Sequence, residues 1–158
     1  MEFDNLDKLF RYIEKQTAKA LEDDVAKAAK QVHKEVIEEE VYDWEPEEYE
    51  RRGEHGGMLD TRNYIAKLRD APLIENHILD FANMAPYSKK YWQEKMGYLA
   101  DLINWGDGAN GAHYDYPATD YDFKRPRAIY EPTIERLEAK VAAQALKAGL
   151  KKRGIDTE

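Results

Sequence analysis

Residues 4–40 carry apolar or small side chains at intervals of three and four: Leu6, Leu9, Phe10, Ile13, Thr17, Ala20, Leu21, Val25, Ala28, Ala29, Val32 and Val36. That spacing predicts one long amphipathic helix. Asp4 or Asn5 is placed to cap it, and Asp7 falls in the first turn, where a carboxylate suits the helix dipole. A helix this long outruns the core of a small domain, so part of its apolar face calls for a neighbour. Ala20, Ala28 and Ala29 are small enough to let another element approach closely.

The chain of 158 residues is long enough to bury a real core, yet 35% of it is charged and its mean hydropathy is -0.84. That balance implies a large exposed surface, or apolar area that is covered only in an assembly. The aromatic share of 11%, mostly tyrosine, excludes a disordered chain. Absence of cysteine removes disulfides, thiolate nucleophiles and thiolate zinc sites, and suits a reducing compartment. The segment "MEFDNLDKLFRYIEKQ" lacks the pattern of a signal peptide, and no window approaches the roughly 18 apolar residues of a membrane span. The expectation is a soluble, cytosolic chain.

Charge is distributed unevenly. Of the net -8, residues 1–50 hold a balance of -9 and residues 51–158 a balance of +1. An acidic beginning and a mildly basic end suit head-to-tail contact between copies. They do not suit a reader of DNA sequence, which presents a basic face.

After the helix, Val41, Tyr42 and Trp44 are the bulky residues of an extended exit. "EPEEYERRGEHGGMLD" then reads as a joint, with Pro46 pushing Glu45 out of the helical region. The alternating runs "TRNYIAKLRD" (61–70) and "LIENHILDFANMA" (73–85) predict an antiparallel hairpin. Ser88 is placed to cap a helix carrying Tyr91, Trp92, Met96, Leu99, Leu102 and Ile103. A loop without periodicity follows, and then a helix opened by Pro132–Thr133 with the stripe Ile134, Leu137, Val141, Ala145 and Leu146. The order predicts a single α+β domain over residues 1–158: long helix 1–40, joint 41–60, hairpin and helix 61–108, long loop 109–127 and C-terminal helix 128–153.

Reactive chemistry has little to work with. "GDGANG" matches neither common phosphate loop. Ser88 is the sole serine and lacks the glycines of a nucleophile elbow. His55, His77 and His113 lie in separate segments, so only the fold could gather them into a metal or general-base site. Asp107, Asp115, Asp120 and Asp122 lack calcium-loop spacing. No catalytic residue, metal site or cofactor is expected. The aromatics Tyr42, Trp44, Tyr49, Tyr91, Trp92 and Trp105 suit core or interface packing better than base stacking, because acids rather than bases are interleaved with them.

The stretch "VYDWEPEEYERRGEHGGMLD" resembles a pattern of neck proteins from long-tailed bacteriophages, in which a long helix leads through "Y-x-P-x-x-Y-x-R" to a glycine–leucine turn and the first strand. The matching residues are Tyr42 or Trp44, Pro46, Tyr49, Arg51 or Arg52, Gly57, Leu59 and the strand entry at Asn63–Ile65. "LADLINWGDG" is similar to the edge segment of that family at Trp105–Gly106. "RPRAIYEPTIERL" is similar to its return into the last helix, through Arg125, Pro126, Arg127, Pro132 and Glu135. The insertion "ANGAHYDYPATDYDFK" departs from the pattern, and the proline–aspartate–threonine lead-in before the glycine turn is absent.

The family comprises tail-completion, or head–tail joining, proteins. The resemblance implies a small α+β fold, no catalytic activity and a homo-oligomeric ring, expected to be a hexamer, at the head–tail junction of the virion, reached from the host cytoplasm during assembly. Its partners would be the neighbouring connector and the tail tube or terminator proteins, with genomic DNA passing through unread and no membrane involved. Trp44, Tyr49, Arg51, Arg52, Leu59, Trp105, Arg125 and Arg127 are then candidates for the assembly interface. Glu35, Glu38, Glu39 and Glu40 are candidates to face the channel, where like charge weakens adhesion of phosphates. A tail terminator ring protein, a non-viral adaptor or binding protein, and a histidine–carboxylate metal hydrolase stay open as alternatives.

Overall fold

In the computed structural model, the described residues are 4–43, 53–71, 76–85, 98–105 and 126–157. The chain begins as predicted. Asn5 caps helix α1 (Leu6–Ala20) by accepting from the Lys8 amide at 2.9 Å. A π-turn (Leu21–Val25) leads directly into α2 (Ala26–Val41), so helical structure continues through residue 41. Val41 is the last helical residue and is buried, not part of an extended exit. Its side chain completes an apolar row with Val32, Val36 and Ile37, and burying that row outweighs the strand preference of a β-branched residue.

A short 3₁₀ turn (Thr61–Asn63), capped by Asp60, precedes strand β1 (Tyr64–Ala71), which pairs with β2 (Asn76–Asn83) in a two-stranded antiparallel sheet. The hairpin therefore starts three residues later than the alternation suggested, because the Asp60 cap holds residues 61–63 in a turn. Arg69 and Asp80 pair across the strands at 2.9 Å. Helix α3 (Leu99–Trp105) follows, then α4 (Tyr130–Arg136), a second π-turn (Leu137–Val141) and α5 (Ala142–Lys152). The last helix thus opens at Tyr130, ahead of Pro132. The fold is α+β. The expected helix start at Ser88 and the loop through residue 125 lie outside the described residues.

The chain divides into two compact units. The first comprises Met1–Ala29, Ala66–Phe81 and Arg136–Glu158; the second comprises Lys30–Ile65 and Ala82–Glu135. In the first unit, α5 packs on α1 and on the first π-turn. Ala20, Val25, Ala26, Ala29 and Leu150 are its buried apolar residues. Arg153 closes this packing. Its guanidinium donates to Asp24 at 2.5 Å, to Asp23 at 2.6 Å and to the carbonyls of Gly149 and Lys19, while its own carbonyl accepts from the Tyr12 hydroxyl at 3.1 Å. Lys152 adds a bond to the second oxygen of Asp24 at 2.6 Å. These cations hold the Asp24 carboxyl below the usual carboxylate range, the Lys152 bond first and the Arg153 bond second. Gly154, at φ 77°, then ends α5 in the left-handed conformation that glycine adopts without steric cost.

Two stretches of the predicted apolar stripes are not covered. Leu6 is 67% exposed, Phe10 62% and Ile13 37%, because α5 meets α1 on a different side, through Tyr12 and Ala20. Ile134 is 53% exposed. Its stripe assumed one continuous helix, but the second π-turn contains Lys140 at φ 129°. A π-turn and kink break the single helical phase on which that stripe relied.

Gly149 marks the closest approach of α5 to the first π-turn. A Cβ there would lie 2.6 Å from the Asp24 carboxylate and 3.0 Å from the Ala20 Cβ. Asp24 is held by two cations and has little room to withdraw. Gly149→Ala is expected to lower stability by about 1–3 kcal/mol, the usual cost of overpacking, and chemical denaturation measures it.

Candidate functional site

The second unit is built around a buried polar junction. His33, on α2, is fully buried among Val32, Val36 and Ile37. Its Nδ1 lies 3.0 Å from Thr133 Oγ1, and Thr133 donates its own hydroxyl proton to the Ile129 carbonyl at 2.5 Å. Thr133 therefore accepts from the imidazole, and the proton of neutral His33 sits on Nδ1. Nε2 is left as the acceptor, 3.4 Å from Asn83 Nδ2. Asn83 cannot turn over without loss, because Nδ2 also donates to the Met58 carbonyl at 3.1 Å and Oδ1 accepts from the Ala85 amide at 3.0 Å. Tyr64 meets the imidazole edge-on at 5.3 Å and Tyr130 stacks on it at 6.1 Å.

The same unit contains the described half of the joint. The Asp60 carboxylate accepts from the amides of Gly56 at 2.9 Å and Arg62 at 3.0 Å, and from the Arg62 guanidinium at 2.6 Å. The Arg62 side-chain bond comes first among the causes that hold Asp60 far below the usual carboxylate range. Gly56, at φ 84°, permits the turn this carboxylate closes. Met58 is buried, and its carbonyl accepts from the Tyr64 hydroxyl at 2.6 Å as well as from Asn83. Glu54 pairs with Lys34 of α2. Residues 53–63 are thus a hydrogen-bonded corner tied to the helix and to both strands of the hairpin.

Asn104 provides a third tie. Its Oδ1 accepts from the amides of Ile129 at 2.8 Å and Tyr130 at 3.0 Å, satisfying the first turn of α4 from another helix. Tyr130 donates to Asp101 at 2.7 Å. Among the described residues, every buried side-chain nitrogen and oxygen has a partner.

The residues singled out in the sequence are dispersed in this frame. Leu59 is in the core of the second unit, 9% exposed. Trp105, at the end of α3, is 65% exposed. Arg127 is half-buried, and its amide donates to the Ile103 carbonyl at 2.8 Å. Glu35, Glu38, Glu39 and Glu40 are all exposed near the end of α2; Glu35 accepts from Gln31 and Glu38 lies 3.9 Å from Lys34. Trp44, Tyr49, Arg51, Arg52 and Arg125 lie outside the described residues. So does His113, while His55 is exposed. Among the described residues no group of three or more His, Asp or Glu side chains is arranged to hold a metal ion, and no helix is long and apolar enough to cross a membrane.

His33, Asn83 and Asn104 were not singled out in the sequence, and Thr133 was named only as part of a helix opening. A signal for His33 was present: it stands four residues after Ala29 and three before Val36, in the buried phase of the helix. For the others the partner is 25 or more residues away, and no local pattern announces it.

An α+β chain of two units, each closed by polar contacts, narrows the class without naming it. The YomN family matches residues 5–152, nearly the whole chain, and the protein belongs to that family. That family is phage-derived, of the Bacillus SPbeta type. No curated protein and no solved structure gives a significant match.

Burial lowers the His33 pKa from 6.5 to about 4, since the charged imidazole would be desolvated. The unfolded chain therefore binds more protons than the folded one between these values. Stability is complete above pH 6.5 and declines as pH falls toward 4, by about 3 kcal/mol in total. The Asp60 contribution is lost only at lower pH, below its ordinary value of 3.8. Urea titrations from pH 7 to pH 4 should show this slope in the parent and a flatter one in His33→Gln. Parallel pH dependences would exclude His33 as the source.

Proposed function

We propose that the chain is a structural protein of the phage neck, a tail-completion or head–tail connector subunit. In this reading, copies form a ring, a hexamer, that joins tail to head around the DNA channel and works by packing rather than catalysis. Its place is the head–tail junction of the virion, reached from the host cytoplasm, and its neighbours are connector and tail tube or terminator proteins. Membership of a phage-derived family supports the viral half of the reading. The observation that carries the assembly half is Trp105, a tryptophan 65% exposed at a helix end. Tryptophan is enriched in the buried centres of interfaces. Order along the chain supports the finer assignment: long helix, glycine turn, hairpin, short helix and the "RPRAIYEPTIERL" return follow the neck pattern in sequence. A tail terminator is the nearest rival, since it would need the same ring geometry.

The exposed carboxylates of Glu35, Glu38, Glu39 and Glu40 suit a channel wall that repels phosphates. Light scattering at several concentrations, with and without purified tails, tests the reading. A discrete ring-sized species, alone or on tails, is the expected result. Trp105→Ala should weaken assembly on the order of tenfold or more, the effect of losing an interface anchor, without lowering the melting temperature. A chain that stays monomeric with tails present overturns the proposal. Reversing the four glutamates to lysine should leave the ring intact and slow DNA passage; normal infectivity would exclude a channel role for them.

A further inference from the structure

Leu6 and Phe10, both largely exposed, form with the partly covered Ile13 a ridge on α1 that faces solvent. Their spacing of four and three is the d–a–d register by which one helix seats another. Such a ridge has three possible occupants: a second copy of α1, a neutral apolar surface, or a partner helix of definite charge. Helix geometry decides between them. At 100° per residue, Asp7 and Glu14 fall together along one border of the ridge. Both are exposed, and neither makes a hydrogen bond or ion pair among the described residues. The other border is taken up by Leu9 and Tyr12, and the Tyr12 hydroxyl reaches Arg153 beyond the end of α5. Lys8, Arg11, Lys15 and Lys19 fall on the side away from the ridge.

A second copy fits this border badly. In an antiparallel pair centred on Phe10, Leu6 meets Ile13 of the other copy, but Asp7 then faces Glu14, and the like charges oppose pairing. A parallel pair sets Leu9 against Glu14, which gives neither apolar nor ionic gain. A neutral surface would leave two carboxylates at the edge of a drying contact without compensation. A helix with lysine or arginine bordering its own apolar stripe satisfies both features at once.

We infer that the Leu6–Phe10–Ile13 ridge is the seat of an amphipathic helix from a partner protein, with basic residues beside its apolar stripe facing Asp7 and Glu14. This site does not involve Trp105, and it holds whichever assembly the chain enters. The apolar ridge provides adhesion, and the acidic border sets which helices are accepted and in which direction they lie.

Two synthetic helical peptides with the same leucine stripe, one bordered by lysine and one by glutamate, test the inference by fluorescence anisotropy against the full chain. The lysine peptide is expected to bind about fivefold tighter at low salt, the scale of two exposed ion pairs, with the advantage shrinking as salt is added. Phe10→Ser should weaken both peptides on the order of tenfold, as loss of a central anchor does. The pair D7K/E14K should reverse the preference. All these positions are exposed, and circular dichroism melts verify that the variants fold as the parent does. Equal binding of the two peptides, binding indifferent to Phe10→Ser, or failure of both peptides to bind would overturn the inference. A concentration-dependent dimer abolished by Phe10→Ser would also overturn it, in favour of a second copy.

Discussion

A buried, neutral imidazole is the constraint on which the second unit depends. His33 has no room for a proton on Nε2, because that atom faces an amide nitrogen whose orientation is set by Met58 and Ala85. On the other side, Thr133 accepts from Nδ1 only because its own proton is committed to Ile129. Each member of the relay thus determines the donor or acceptor role of the next. The relay joins a helix, a glycine turn, the end of a strand and the start of another helix. Apolar packing alone brings such segments together; directional bonds in a low-dielectric interior make one arrangement much better than its neighbours.

The first unit solves the same problem with charge. Arg153 and Lys152 converge on Asp24 in the π-turn, where Gly149 leaves space for the carboxylate. Part of this cluster is exposed, so its ion pairs are weakened by solvent, and its main effect is to fix where α5 ends against α1. The glycine and the aspartate are a matched pair: a side chain at 149 would displace the group that receives both cations.

What these two frameworks leave over is more informative for function than what they contain. Among the described residues, where interior polar groups are paired, five large apolar side chains, Leu6, Phe10, Ile13, Trp105 and Ile134, are in contact with solvent. Scattered singly such residues would mean little. Three of them share one helix face with Asp7 and Glu14, which pair with nothing among the described residues, and another is a tryptophan at a helix end. In a protein of phage-derived family, exposed surfaces of this kind are the basis of the proposal that the chain works by packing against other chains.

Sequence periodicity determined the long N-terminal helix, the hairpin and the α+β order, because these follow from spacings of three, four and two residues that local backbone geometry reads directly. It left Asp4 and Asn5 both open as the cap, and the structure chose Asn5. The sequence placed a glycine-containing joint at 41–60, of which only residues 41–43 and 53–60 are described. It did not determine which part of each apolar stripe is covered. Leu6, Phe10 and Ile13 satisfy the same periodicity as Val32 and Val36, yet only the latter are buried. A local pattern specifies a face; whether that face meets a neighbour depends on where distant segments pack. The same holds for the polar junctions. His33 with Thr133, Asn83 with Met58, Asn104 with Ile129 and Asp24 with Arg153 are each separated by 25 residues or more. Only the tertiary structure decided these pairs, because hydrogen bonds at close range recognise position in space and not distance along the chain.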